Sequence, residues 1–240
     1  MAPPIRRGLK GWMLNRLEAS GYLLLNTRKI ARKDTWLREL GIATVLDVGA
    51  NRGESALELH QRLPQARVVS LEPLPDSYAA MRQNLQGQSW WQGFNFAAGP
   101  ARAQAEIHRS DYALSSSLLP MADAHKQAYP YTAGGSRQSI EVIRLDDLLG
   151  EHEIAGPYLL KLDVQGFELP ALEGAPATLA HCKAIICETS FVELYQGQRL
   201  FADVAHFLAE RGFVYAGSAG QRNSPLNGRP LQHDAIFLKA

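Results

Sequence analysis

Apolar and polar positions along this chain fall into blocks. From about residue 43 onward, short runs of β-branched and apolar residues are separated by stretches with the i, i+3, i+4 spacing of helices, the signature of a parallel sheet covered by helices. The pattern predicts strands at 43–48 (ATVLDV), 67–72 (RVVSLE), 91–97 (WQGFNFA), 158–163 (YLLKLD) and 184–188 (AIICE), and helices near 53–63, 75–86, 167–179 and 199–211. Two stretches break the alternation. Residues 100–144 hold "AQAEIHRS", a Ser-, Ala- and Gly-rich stretch and the strand-like "SIEVIRL"; a loop this long in a compact domain reads as a lid or binding loop. Near the C-terminus, "FVYAGS" and "HDAIFLKA" are joined by "AGQRNSPLNGRP", which is rich in turn residues and has no helix, so the two strands must pair as an antiparallel hairpin. The predicted fold is α/β, a mostly parallel seven-stranded sheet with helices on both faces that ends in this hairpin.

Residues 1–40 read as an N-terminal helical extension, with a short helix around "TWLREL", and 41–240 as the domain. The extension is basic, and Arg6, Arg7, Lys10 and Trp12 would suit weak peripheral contact with an anionic membrane surface; packing as a plain helix is the simpler expectation. It has no uninterrupted apolar core followed by a small-residue cleavage site. No stretch reaches the roughly 18 to 20 apolar residues of a membrane span.

Composition narrows the partners. With 240 residues, 46% of them hydrophobic and 20% charged, the chain can bury one sizeable α/β core. A net charge of +1 asks for no nucleic acid. Cys182 and Cys187 stand in or beside an apolar run with no further cysteine to complete a metal site or disulfide framework, so buried thiols in a reducing cytoplasm are expected.

The chemistry concentrates where the first predicted strand ends, in "TVLDVGANRGESALELH". Ligands of open α/β sheets bind at the carboxyl ends of the strands. There Gly49 and Gly53 allow tight turns and close approach, and the following helix offers unpaired N–H groups. Glu72 ends the next strand, where a carboxylate can accept hydrogen bonds from both hydroxyls of a ribose. A dinucleotide fingerprint, G-x-G-x-x-G, would need a glycine at position 51; Asn51 carries a side chain where a pyrophosphate requires bare backbone. NAD therefore loses ground to S-adenosylmethionine, which has one ribose and an amino-acid tail.

The runs "VLDVGANRGESALEL", "VVSLEPLPDSYAAMRQNL", "FNFAAG", "SSSLL", "IEVIRLDDLL", "LLKLDVQGFELPALEGA", "AIICETSF" and "HDAIFLKA" together resemble the FkbM family of S-adenosylmethionine-dependent methyltransferases, in order over roughly residues 40–240. The resemblance implies the class I methyltransferase fold, with Asp47, Gly49 and Asn51 around the methionine part of the cofactor, Glu72 on the ribose, and Ala97 and Ala98 near the adenine at the end of the third strand. It also implies a hydroxyl acceptor, a sugar or another oxygen-rich metabolite. Gln165 stands where the family most often has Glu, which leaves no role for a carboxylate there.

Methyl transfer from a sulfonium is an in-line displacement that needs alignment and exclusion of water rather than an enzyme nucleophile. An alcohol acceptor also needs a base for its proton. Asp163 at the end of the fourth strand is the first candidate, with Glu168 second; Lys161 shares a strand face with Asp163, and Glu188 ends the fifth strand. A structural role competes in each case: Glu168 favours the first turn of its helix, and Lys161 can form an ion pair with Asp163. Asp163 and Glu188 supply two oxygen ligands, too few to predict a metal. His125 and His233 are secondary candidates for a base, and "SSSLL" at 115–119 for donors to a sugar or the cofactor. The 110–138 stretch is expected to close over the acceptor. An NAD-dependent oxidoreductase and a non-catalytic relic of the fold are the alternatives.

Overall fold

The structure is a computed structural model that describes residues 35–240; the basic segment with Arg6, Arg7, Lys10 and Trp12 lies outside the described residues. Helix α1 (Thr35–Glu39) falls where "TWLREL" predicts a helix. Residues 41–240 form a compact unit by themselves. In chain order this unit contains β1 (Thr44–Val48), α2 (Glu54–Arg62), β2 (Arg67–Leu71), α3 (Pro75–Asn84), β3 (Trp91–Phe94), β4 (Ala97–Ala98), β5 (Ala103–Ser110), α4 (Asp123–Ala128), β6 (Gly135–Ile143), α5 (Leu145–Glu151), β7 (Tyr158–Leu162), α6 (Glu168–Glu173), α7 (Pro176–Ala180), β8 (Cys182–Ser190), α8 (Phe201–Ala209), β9 (Phe213–Asn223) and β10 (Pro230–Lys239).

Seven strands form the main sheet in the order β3-β2-β1-β7-β8-β10-β9. Neighbours from β3 to β8 run parallel, whereas β10 is antiparallel to both β8 and β9. Counted among these seven alone, the order is 3-2-1-4-5-7-6, the class I methyltransferase topology, with the predicted hairpin at one edge. The parallel strands are covered on both faces, which is why they read as unbroken apolar runs. All five residues of β1 are buried. Leu46 and Val48 meet Val69 and Leu71 of β2, Leu160 and Leu162 of β7 and Ile185 of β8 in one core cluster. Each such side chain contributes on the order of 2 kcal/mol on burial. Strand order reverses between β1 and β7, so a crevice opens there at the carboxyl ends. Among the described residues no helix is long and apolar enough to cross a membrane.

Four expectations need correction. The third strand stops at Phe94 rather than residue 97, because the Asn95 amide donates to the carbonyls of Glu72 (2.8 Å) and Pro73 (3.0 Å) and turns the chain away. Ala97 and Ala98 consequently pair with β6, in a separate three-stranded sheet ordered β4-β6-β5. The Ser-, Ala- and Gly-rich stretch after "AQAEIHRS" is not one long loop, since α4 and two short 3-10 turns order it, while β5 and β6, the latter with most of the strand-like "SIEVIRL", pair antiparallel along eight registered positions. The single helix expected over 167–179 is two, α6 and α7. They part at Gly174, where a Cβ would stand 2.0 Å from the Gly99 carbonyl oxygen, and Pro176 opens the second. Helix α5, with Leu145, Leu148 and Leu149 buried at helical spacing, was not anticipated.

Candidate active site

The chain leaves β1 under tight constraint. The amides of Gly49 and Ala50 both donate to the Leu71 carbonyl at 3.0 Å, and the Asp163 amide donates to the Val48 carbonyl at 3.0 Å. These bonds draw the ends of β1, β2 and β7 together. Gly49 has φ +84°, and a Cβ there would lie 1.9 Å from the Asp163 carbonyl oxygen, so no other residue fits. Asn51 is also left-handed, with φ 47°, a conformation asparagine tolerates better than most residues. Its backbone N–H points at the Glu72 carboxylate (2.9 Å).

Glu72 is buried at the end of β2 with one oxygen on the Asn51 N–H and the other on the Leu74 N–H, each at 2.9 Å. Burial pushes its pKa up to about 7 against the opposing pull of the Leu74 and Asn51 amides. The carboxylate lines a cavity in the crevice at the reversal of strand order. Gly49 and Asn51 line it beside Glu72. Leu74, Phe96, Ala97, Ile107, Leu118 and Phe167 give it a largely apolar slot, and Asp163 and Gln165 line it as well. Ser116 and Ser117 of "SSSLL" also line it. Of the 110–138 stretch, Ala113, Leu114, Ser116, Ser117 and Leu118 line this cavity.

Asp47 and Gly53 lie off the cavity. Asp47 is fully buried; its carboxylate accepts a hydrogen bond from Ser55 Oγ (2.6 Å) and stands 3.4 Å from Lys161 Nζ, which ties β1 to the start of α2 and to β7. Gly53 has φ +90°, and a Cβ there would meet Leu85 and Met81 at 2.8 and 3.0 Å, so it serves the packing of α2 against α3.

The acidic residues form a connected cluster. Lys161 Nζ lies 3.7 Å from Asp163, on the strand face the alternation predicts. Burial works against the ammonium, but Asp47 and Asp163 beside it outweigh that and hold its pKa above the ordinary lysine value. Gln165, in a left-handed conformation with φ 53°, donates from Nε2 to Asp163 (2.7 Å) and to Glu188 (2.8 Å). Glu188 is therefore joined to Asp163 through the amide and does not line the cavity. Its second oxygen accepts a hydrogen bond from Gln232, and burial and the neighbouring Asp163, Glu168 and Asp234 drive its pKa well up. Glu168 is buried as well, and one of its oxygens accepts the N–H groups of Val164 and Gly166, both at 3.1 Å. It closes the turn between β7 and α6 and does not line the cavity; burial raises its pKa to about 7.

His125 and His233 are buried away from the cavity, the first among the rings of Tyr129 and Tyr195, the second among those of Phe191 and Phe201. Burial lowers the pKa of both. Two residues of the cluster had no functional signal in the pattern of the chain. Tyr195, in the segment after β8, donates to Gln165 Oε1 at 2.8 Å, and Gln232 enters from the antiparallel β10. Both come from segments where neither helical nor strand periodicity singles out a residue.

This arrangement can be set beside known proteins. The family described as the methyltransferase FkbM domain matches residues 47–215, from the Asp47 of the first strand into the hairpin. The chain belongs to the FkbM methyltransferase family. Among its relatives are the 2-O-methyltransferase NoeI of Sinorhizobium fredii, 29% identical over 177 residues that cover 71% of this chain and 72% of that protein. The 31-O-demethyl-FK506 methyltransferase FkbM of Streptomyces tacrolimicus is 28% identical over 202 residues, 72% of this chain and 76% of the relative. The hexuronic acid methyltransferase AglP of Haloferax volcanii is 28% identical over 149 residues, 59% of this chain and 54% of the relative. The matched span includes Glu72, Asp163, Gln165 and Glu188.

Proposed function

We propose that this protein transfers a methyl group from S-adenosylmethionine to a hydroxyl of a carbohydrate or another oxygen-rich small molecule. The observation that carries the reading is one cavity lined by Glu72, by Asp163 and by the apolar side chains of Leu74, Phe96, Ala97, Ile107, Leu118 and Phe167. The donor set fits the cofactor. Each Glu72 oxygen accepts a single backbone N–H, which leaves lone pairs for two ribose hydroxyls. The slot of Leu74, Phe96, Ala97, Ile107, Leu118 and Phe167 suits a flat adenine. Gly49 and Asn51 would flank the methionine part. A dinucleotide fits less well, because the Asn51 side chain occupies the station a pyrophosphate needs.

When bound, the cofactor supplies an electrophilic methyl on a sulfonium. The Asp163 carboxylate would accept the proton of the acceptor hydroxyl as that oxygen is methylated. Asp163 is suited to this because it lines the cavity and is held by both Lys161 and Gln165. Lys161 acts through Asp163 as its counter-ion. The acceptor class is supported by the names of the relatives, one a 2-O-methyltransferase and one a hexuronic acid methyltransferase. The near-neutral charge of +1 favours a small acceptor over nucleic acid, and the two free, buried cysteines fit a reducing cytoplasm. Residues 1–40 flank the methyltransferase domain in this reading.

Incubation with methyl-labelled S-adenosylmethionine and fractionated sugars or extracts tests the proposal. Label is expected on a hydroxyl oxygen of one acceptor class; label on nitrogen or carbon, or none in any fraction, would refute it.

A further inference from the structure

We propose that Gln165 is the positioning residue of this site: its side-chain amide is a neutral clamp that fixes the cavity-facing Asp163 against Glu188 behind it and ties both to Tyr195. The inference rests on the methyl-transfer reading for its kinetic consequence, but its geometry stands apart from it.

Both hydrogens of Nε2 are used, one toward Asp163 (2.7 Å) and one toward Glu188 (2.8 Å). The amide has one sensible orientation, because the reverse would set Oε1 against two carboxylate oxygens. Oε1 accepts the Tyr195 hydroxyl at 2.8 Å, and the same hydroxyl lies 3.2 Å from the Ser115 carbonyl. The backbone is held too: the Gln165 carbonyl accepts Ser117 Oγ at 2.6 Å, and the φ of 53° is one that residues other than glycine rarely adopt. The main chain is therefore anchored to Ser117, which lines the cavity, and the side chain to Tyr195.

The cluster needs such a clamp. The charged groups facing the pair are Lys161 of β7, Asp47 of β1, Glu168 of α6, Asp234 of β10 and Arg222 of β9. Acids outnumber bases among them. Lys161 is shared between Asp47 and Asp163, and Arg222 stands 3.9 Å from Glu188 with its side chain 72% exposed. Glu188 is buried and Asp163 has its side chain 28% exposed; two carboxylates this close without a donor between them must share a proton or move apart. The amide prevents both without adding charge, so that Asp163 keeps one orientation toward an acceptor.

Gln165→Leu, Gln165→Glu and Tyr195→Phe test this, with kcat, affinity for S-adenosylhomocysteine and melting temperature from about pH 5 to about pH 8 as readouts. Gln165→Leu is expected to lower kcat about 100-fold with cofactor affinity within about threefold of the parent. Tyr195→Phe is expected to act in the same direction more weakly, and the double variant to be no slower than Gln165→Leu alone. In Gln165→Glu the new carboxyl sits between two others, so its folded pKa rises above the unfolded one. Its contribution to stability is then present in acid and lost as pH rises, and the melting curve should track the parent in acid and fall below it toward pH 8. A merely structural glutamine would lower melting equally at every pH and leave the split between kcat and affinity unseen. A Gln165→Leu variant with parental kcat, or a Gln165→Glu melting profile parallel to the parent across the range, would overturn the clamp. If the parent transfers no methyl group, the methyl-transfer reading falls, and the melting profiles alone decide: divergence upholds the clamp and parallel curves reject it.

Discussion

Glu72→Ala is expected to weaken binding of S-adenosylmethionine by about 100-fold, on the order of 3 kcal/mol, while the protein stays folded. Two hydrogen bonds from ribose hydroxyls to an ionised acceptor would be lost, and the N–H groups of Asn51 and Leu74 would lose their partner. The same residue sets an expected pH dependence. Its pKa in the unliganded protein is about 7, raised from 4.5 chiefly by burial. A raised folded pKa gives stability that is present in acid and lost as pH rises from 4.5 through 7, so ionising Glu72 costs the unliganded fold. Donating hydroxyls favour the ionised form, so cofactor affinity should be greatest above about pH 7 and fall by up to about tenfold per unit below it. Glu168 is raised to about 7 as well, which makes Glu72→Gln the necessary control: calorimetry should find its affinity low and nearly flat with pH. A variant that keeps the parental pH dependence would assign it to Glu168 instead.

The complementary result is expected at Asp163. Asp163→Asn should lower kcat by about 100-fold to 10,000-fold, the range for loss of a positioned base, and leave the cofactor dissociation constant within about threefold. Asparagine preserves the size of the side chain and an acceptor for the Gln165 amide, and Lys161 keeps Asp47 as a partner at 3.4 Å, so the fold should survive. Melting temperature and steady-state kinetics measured together separate the possibilities. A loss of cofactor affinity as large as the loss in kcat would mean that Asp163 holds the cofactor and is not the base.

The turn after β1 and the position of Glu72 were legible in the chain, whereas the acid cluster was legible only in part. Strand β1 is buried on both faces, so it reads as an apolar run, and the glycines that follow are needed for backbone geometry, which the sequence states directly. Glu72 follows because one strand later the same logic repeats. At Gly53 a positive φ needs glycine whether a ligand or a neighbouring helix comes close, and Leu85 and Met81 of the α3 region come close there. The departure of Ala97 and Ala98 from the main sheet hangs on two side-chain bonds of Asn95, which periodicity does not register. Glu168 closes a turn with two backbone N–H groups, a role its position at a helix start permits but does not distinguish from catalysis. Gln165 and Tyr195 meet across 30 residues of sequence, and only the fold brings that pair together.

Calorimetric titration of the unmodified protein with S-adenosylhomocysteine and, separately, with NAD decides whether the crevice between β1 and β7 is an S-adenosylmethionine site. One site of micromolar affinity for S-adenosylhomocysteine and no heat from NAD are expected; binding of NAD with none of S-adenosylhomocysteine would contradict the account.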